Sequence, residues 1–473
     1  MKKTILILSV ILFMVTLPAC QNLNTPKKNS GVVSVENRNV EELSEAITVL
    51  LNNCTAEFIG NNPVDEDFFF WIAKVYGDDV IFDIVKDGDV ADPEIWFRKT
   101  NNSIQVLWYE YCKAIGLDAY EYSHIHEIET AQSYVSFDFS GDVNLCEGIS
   151  TVKYMDDQPN GILDCFSGDL LDEMQNVDVL VLNNEFAYTD RGVPLPRKAF
   201  TFRAHPERVA SMQALGCDLV TLANNHVWDY DLIGLEDTLD TLTLAEMPYV
   251  GAGRNLKDAC RPQYYIACGR KIAVVDATQI ERSYTFTKQA TEDTPGVLKT
   301  LDPTLYCEVI SDAKRHSDFV IAIVHWGTEG NRNYGGDQEH LAHEYVNAGA
   351  DLIIGGHTHC LQAMEYIDDV PVYYSMGNYW FATTANMPGN YDTGLAHVEI
   401  YRNLSVTCKF IPCMFQKGVT SIASKENTGR IIAELNNLSK TVTLSNEGIL
   451  MKKENNNEQE TNSTYDLRRI WNQ

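Results

Sequence analysis

The sequence predicts an α/β protein preceded by a mostly helical accessory segment, and three observations carry that reading. After about residue 130, short apolar runs of strand type alternate with amphipathic helical stretches, the texture of strands buried between helix layers. Before it, from Asn39, the apolar residues Val40, Leu43, Ile47, Leu50 and Leu51 recur at helical spacing instead. Five of the strand-type runs end in loops that bear Asp, Glu, Asn-His, His and His-x-His, and the loops beyond strand C-termini are where function gathers in such folds.

The N-terminus reads as a unit of its own. Met1-Lys2-Lys3, the apolar run Thr4 to Leu17 and then Leu17-Pro18-Ala19-Cys20 have the layout of an export signal over residues 1–19, too short for a transmembrane span. Its end resembles the lipobox of bacterial lipoproteins, which implies lipidation of Cys20 and a protein exported and anchored to the outer face of the bacterial membrane. An ordinary secretory signal with an incidental cysteine is the alternative. Residues 20–37, polar and rich in Asn, Lys and Ser, suit a flexible tether.

Residues 38–130 form the predicted helical accessory domain, with Asn39 as an N-cap and further helices over Phe68 to Tyr76 and Ile104 to Ile115. Its aromatic clusters, Phe68 to Trp71 and Trp96-Phe97, read as core. The α/β domain spans 131–415. Beyond it, residues 416–473 hold a helix from Glu426 to Leu438 and an Asn/Glu-rich tail too polar to pack.

With 66 acidic residues against 37 Lys and Arg, the formal net charge is −29. No Lys/Arg cluster interrupts that acidity, which excludes nucleic acid as a partner. The twelve cysteines are irregularly spaced, without a C-x-x-C pair, and read mostly as small buried hydrophobes. Cys260 and Cys268 flank a predicted hairpin and could bridge.

Within the α/β region the predicted strands are Tyr134–Phe139, Val177–Leu182, Leu219–Leu222, Lys271–Asp276, Phe319–Val324, Ala350–Ile354 and Val370–Ser375, with helices over Glu207–Leu215, Leu235–Leu242 and Gln338–Ala348. Five strands run into Ser140-Gly141-Asp142, Asn183-Asn184-Glu185, Ala223-Asn224-Asn225-His226, His325-Trp326-Gly327 and Gly356-His357-Thr358-His359. A mixed oxygen and imidazole set without sulfur suits one or two divalent ions of the Mn, Fe or Zn type. Alone, each loop has a plain alternative: Gly-Asp is a common turn, Asn-Asn-His could cap a helix, and His325 could be a satisfied strand-end histidine. Co-occurrence favours one pocket, since four of the eleven histidines directly follow predicted strands. Gly355 and Gly356 are expected to supply the turn that lets His357 and His359 converge.

The ordered set Gly-Asp, Asn-x-Glu, Asn-Asn-His, His and Gly-His-x-His resembles the calcineurin-like metallophosphoesterase superfamily. It is more closely similar to the capsule synthesis CapA family, also called poly-γ-glutamate synthesis proteins. The closer likeness rests on A-N-N-H-V-W-D-Y-D-L-I-G-L at Ala223 to Leu235, Y-V-G-A-G-R-N at Tyr249 to Asn255, H-W-G-T-E at His325 to Glu329, G-G-H-T-H-C-L-Q at Gly355 to Gln362 and Y-S-M-G-N-Y-W-F at Tyr374 to Phe381. It covers about Ser133 to Pro412. Gly168-Asp169-Leu170-Leu171-Asp172 also spells a superfamily motif, but it precedes a strand and reads as a helix start.

The resemblance implies a layered α/β/β/α sandwich with Asp142, Glu185, Asn225, His325, His357 and His359 as metal ligands, Glu185 in the bridging place. It implies His226 as the catalytic histidine, oriented by Asp229, and Asn224 and Asn378 as candidates for substrate contact. Two departures weaken one ion's hold: Asn144 stands where the superfamily has histidine, and Glu185 where it has aspartate. Asp231 replaces a common glycine. The implied function is a membrane-tethered, metal-dependent hydrolase in capsule or poly-γ-glutamate synthesis, export or anchoring, acting on a cell-envelope polymer or phosphoester beside capsule-synthesis membrane proteins. The alternative is a polymer-binding assembly factor that keeps the fold without turnover.

Overall fold

A computed structural model describes residues 40–53, 64–87, 92–116, 124–283 and 285–453. The expected signal, Cys20, the tether and the end of the tail lie outside the described residues. Two β-sheets lie back to back between helices. The first runs Val419–Ile422, Val406–Gln416, Tyr391–Tyr401, Tyr134–Val143, Val179–Asn184, Leu219–Thr221, Tyr249–Val250, with Asn378–Trp380 also on Tyr134–Val143. The second runs Ile125–Glu127, Gln263–Ala267, Arg270–Thr278, Phe319–His325, Leu352–Gly356, Val370–Tyr373, Met364–Ile367.

Alternation of side chains along each strand builds the layers. Phe137, Phe139, Val181 and Leu219 of the first sheet meet Ile272, Val274, Ile321 and Ile354 of the second in one buried cluster. Their neighbours Leu180, Leu182 and Val220 face helices such as Gly168–Asn176 and Asp231–Leu244. On the far side Val275, Ala322 and Ile353 face Thr304–Arg315 and Gly336–Ala348. The result is the expected α/β/β/α sandwich, and Gly168 does open a helix rather than a site.

The central strands of both sheets are parallel, so their carboxyl ends share one edge. One irregularity matters there. The ladder between Tyr134–Val143 and Val179–Asn184 shifts register between Phe139 and Asp142, as a bulge does. Asp138 faces the helix layer, and unbroken alternation would send Asp142 the same way; the shift turns its carboxylate toward His359 instead. A side chain at Gly141 is impossible without movement, because its Cβ would lie 1.8 Å from the Gly377 carbonyl oxygen, which accepts the Asp142 N–H at 2.9 Å.

Five helices over 40–114 share a separate core around Phe68, Phe69, Trp96 and Leu107, so the aromatic clusters are core as expected except for Phe97, which lies beneath the guanidiniums of Arg270 and Arg402. Asp65 and Ser103 cap two of them by accepting from Phe68 N and Val106 N. The bundle docks where the second sheet's strands begin, opposite the carboxyl ends: Arg270 holds Glu94 through two bonds of 2.8 and 2.7 Å, and Ser103 donates to Asp318 at 2.6 Å.

The predicted hairpin forms as Gln263–Ala267 and Arg270–Thr278, but Cys260 and Cys268 do not bridge. Cys268 sits in its turn while Cys260 ends the helix Leu256–Ala259, a whole strand away; both are free, like every described cysteine. Among the described residues no helix is long and apolar enough to cross a membrane.

Candidate metal centre

The shared edge gathers all six predicted ligands. Glu185, His325 and His357 offer ligand atoms within 4.8 Å of one another, as do Asp142, Glu185 and His359, and Glu185 is common to both groups. Asn225 joins the first, its Oδ1 2.9 Å from His325 Nε2. The same nitrogen lies 3.2 Å from His357 Nδ1 and 3.4 Å from Glu185 Oε1. One ring nitrogen cannot satisfy three such neighbours.

Glu185 is wholly buried, yet neither carboxylate oxygen has a hydrogen-bond donor. An unmade hydrogen bond of a buried polar group costs roughly 1–3 kcal/mol, more for a charged one. Burial, reinforced by the charge of Asp142, holds its pKa well above the usual carboxylate range. Burial also pushes His325 down to about 3, against the pull of Asp142, and His357 well below its ordinary value, so both rings stay in the neutral form that ligates metal. Orphaned carboxylate oxygens facing neutral imidazoles and an amide oxygen fit a divalent cation.

The glycines of the Gly-Gly-His-Thr-His stretch do not make its turn. Gly355 and Gly356 are extended within Leu352–Gly356, and the left-handed conformations fall on His357 (φ 88°) and His359 (φ 57°), strain of the kind that clusters at functional sites. Gly355 is needed for space, since a Cβ would lie 2.4 Å from Trp326 Nε1. Thr358 pins the turn, donating to Cys360 O at 2.9 Å and contacting Ser375 Oγ at 2.8 Å, so a ring on either side is set by a buried anchor.

Asp142 rests on Asn183 Nδ2 at 2.7 Å and lies 3.1 Å from His359 Nδ1. Burial would raise its pKa, but the His359 bond and charge outweigh it and leave it below the usual range. His359 is correspondingly raised despite burial, and Asn378 Oδ1 sits 2.8 Å from the same Nδ1; Asn378 therefore braces the His359 ring. Asn224 is buried with its amide committed: Oδ1 accepts from His226 N and Val227 N, and Nδ2 donates to Asn183 and Asn184. The expected substrate contact at Asn224 gives way to a loop-shaping role. Asn144 takes no place in the cluster, donating to Ala382 O and accepting from Cys146 N.

His226 Nδ1 lies 2.6 Å from Asp229 Oδ2, which also accepts the Phe202 N–H at 2.6 Å. The proton belongs on Nδ1 in that pairing. Burial lowers the pKa of His226 further than Asp229 raises it, keeping the ring neutral. Behind Asp229 stands Lys198, 6% exposed, with Nζ 2.6 Å from Asp229 and 3.0 Å from Glu281, and bonded to the Asn225 carbonyl.

The profile of the bacterial capsule synthesis protein PGA_cap family matches residues 136–383, just over half of the 473 residues and the whole of this centre. The chain belongs to that family. It is 34% identical over 185 residues to the PGA biosynthesis protein CapA of Bacillus subtilis (strain 168), covering 39% of this chain and 48% of that one. It is 32% identical over 235 residues to the capsule biosynthesis protein CapA of Bacillus anthracis, covering 48% and 56%. The chain thus spans about half the length of these curated relatives. A solved 5'-nucleotidase from Candida albicans SC5314 aligns with 60% of this chain and 53% of its own at 11% identity and a TM-score of 0.30, too distant to speak to chemistry.

In this PGA_cap protein the centre opens to a cleft of about 630 Å³, whose floor holds Asn225, His226 and His357 and whose walls include Arg197, Lys198, Phe200, Arg282 and Glu329. Sequence reasoning missed three supports. Asn183 holds Asp142, although it was in view as a neighbour of Glu185. Lys198 lies on a loop with no motif to mark it. Asp276, buried at the end of a strand, accepts from Leu222 N and Ala223 N at 3.1 and 2.8 Å and so shapes the loop that carries Asn225 and His226.

Proposed function

We propose that this protein is a metal-dependent hydrolase acting on an anionic cell-envelope substrate, a phosphoester or an amide of a capsule or poly-γ-glutamate polymer, in its synthesis, export or anchoring. The observation that carries the proposal is the neutral His226, braced by Asp229 and Lys198, on the floor of the cleft beside two ligand groups that share Glu185. The names of the two Bacillus relatives supply the capsule and polymer context.

Asp142, Glu185, Asn225, His325, His357 and His359 would hold one or two ions of the Mn, Fe or Zn type, which would supply Lewis-acid stabilisation of charge developing on a substrate oxygen. The protein's own groups do the rest. Arg197, which has no ion-pair partner among the described residues, and Arg282, paired with Asp337 at 2.9 Å, favour a substrate anion at the cleft mouth. With its Nδ1 proton held by Asp229, His226 presents Nε2 to the cleft, takes a proton from the water that attacks the substrate, and returns it to the leaving oxygen or nitrogen as the scissile bond breaks. Asp229 stabilises the imidazolium so formed, while burial, with a smaller contribution from the charge of Lys198, keeps the resting ring neutral.

The second reading, a polymer-binding assembly factor without turnover, draws on Asn144: the Asp142 group lacks the extra imidazole and would hold an ion with three side chains, Asp142, Glu185 and His359. Turnover of a generic phosphodiester and of a γ-linked glutamyl amide by the metal-loaded protein separates the two. Hydrolysis that His226→Ala abolishes while retaining metal supports the first; metal binding without any turnover supports the second. Membrane tethering through Cys20 belongs to the same proposal, and Cys20→Ser should release the protein from the membrane fraction or block its maturation.

A further inference from the structure

We propose that Asp138, Glu173 and His397 form a second divalent-cation site on the outer face of the first sheet, separate from the strand-end centre. Asp138 and His397 are direct partners in the antiparallel ladder between Tyr134–Val143 and Tyr391–Tyr401, so their side chains stand together on one face. His397 Nδ1 lies 2.7 Å from Asp138 Oδ1 and 3.6 Å from Glu173 Oε1, which the helix Gly168–Asn176 lowers onto the sheet. One ligand atom from each residue falls within 4.8 Å of the others.

A buried ion pair between Asp138 and His397 would account for one oxygen only. Asp138 is fully buried, and its Oδ2 has no hydrogen-bond partner, although the strand neighbours Phe137 and Phe139 show how readily this strand accepts apolar side chains. A buried carboxylate with a free oxygen, aimed at an imidazole and a second carboxylate, is what a cation would complete. The surroundings add charge of the right sign. A cavity of about 310 Å³ beside the cluster is lined by His397, Glu173, Asp169 and Asp172, and Glu399 Oε1 lies 4.0 Å from His397 Nε2. Lys409, the cross-strand partner of His397, is the opposing charge that reaches Asp138, against several carboxylates.

One imidazole and two carboxylates without sulfur suit a borderline ion such as Zn²⁺, with the acidic cavity as its entry path. The ion would clamp the helix Gly168–Asn176 to two strands of the sheet, a structural role. Roughly 13 Å of strand, at about 3.3 Å per residue, separates this site from Asp142.

The test is Zn²⁺ titration of the folded full chain against a chromophoric chelator, with thermal unfolding in parallel. His357→Ala/His359→Ala, which disables the strand-end centre, should retain one Zn²⁺, and adding Glu173→Gln or His397→Gln should weaken it about tenfold or more. Glu173 is partly exposed, so its substitution spares the fold, and Glu173→Gln in the otherwise natural chain should also reduce the Zn²⁺-induced rise in Tm. Equal Zn²⁺ affinity, stoichiometry and Tm rise with and without Glu173→Gln would overturn the proposal and leave Asp138 and His397 as an ion pair.

Discussion

Asp138 and Asp142 stand four residues apart on one strand, both buried and both beside a histidine nitrogen, at 2.7 and 3.1 Å. What differs is where their partners come from. Those of Asp138 lie within regular elements, a ladder partner and a helix, and look onto a cavity that Asp169, Asp172 and Glu173 make acidic. Those of Asp142 come from the ends of different strands, Asn183 at the close of one and His359, in a left-handed conformation, in the loop beyond another, and the centre faces a cleft walled by arginines and floored by His226. Under the two proposals, similar side chains would make a clamp where secondary structure supplies them all, and a reactive centre where strand ends and loops converge on space for a substrate. The Gly141 bulge divides the two.

The comparison breaks most sharply at His226, which has no counterpart beside Asp138. His226→Ala should reduce turnover by about 10²- to 10⁴-fold with metal content unchanged, read by steady-state kinetics alongside elemental analysis. Lys198→Met should have a smaller effect, roughly tenfold, with a diagnostic shape. Lys198 lowers the pKa of His226, so its removal raises that pKa and moves the acid limb of the pH–rate profile to higher pH, whereas a merely structural loss would lower the profile without moving it.

Gly141→Ala should cost about 1–3 kcal/mol of stability or more and loosen metal at the strand ends, while binding at Asp138 survives; differential scanning calorimetry and titration report both. The smallest effect is a pH dependence. In metal-free protein the folded pKa of Glu185 is raised above its unfolded value, so its contribution to stability is fully present below about 4.5 and is lost as pH rises through the folded value. Tm measured in chelator should therefore fall with rising pH more steeply in the natural protein than in Glu185→Gln, and added Zn²⁺ or Mn²⁺ should raise Tm more in the natural protein than in Glu185→Gln, which keeps only the site at Asp138. A parallel pH slope for both would remove Glu185 from the centre.

The convergence of the six candidate residues at the strand ends was legible because each stands within a few positions of an apolar run, and a parallel sheet collects carboxyl ends whatever the strand order. Strand limits from sequence fall within about two residues of those found, except that Tyr134–Phe139 continues to Val143; Phe319–Val324, for instance, extends only to His325. What was illegible depends on pairing across long separations. Asp138 and His397 are 259 positions apart, and nothing local marks either. Tyr391–Tyr401 and Val406–Gln416 went unassigned: Pro412 argues against a central strand, yet the ladder accepts it opposite Gly394. Lys198 matters only because a loop folds it behind Asp229. The turn at His357 was misjudged because glycine signals freedom and crowding alike, and only packing against Trp326 shows which is meant.

The most direct test of the central claim is the metal content of purified, folded full chain compared with His357→Ala/His359→Ala, both loaded with Zn²⁺ or Mn²⁺ and desalted before elemental analysis. The strand-end centre predicts that the double variant loses the ion or ions that Glu185 shares and keeps only the one at Asp138, Glu173 and His397, while His226→Ala matches the natural chain. Equal metal in the double variant and the natural chain would contradict it and return His357-Thr358-His359 to a strained turn without a ligand.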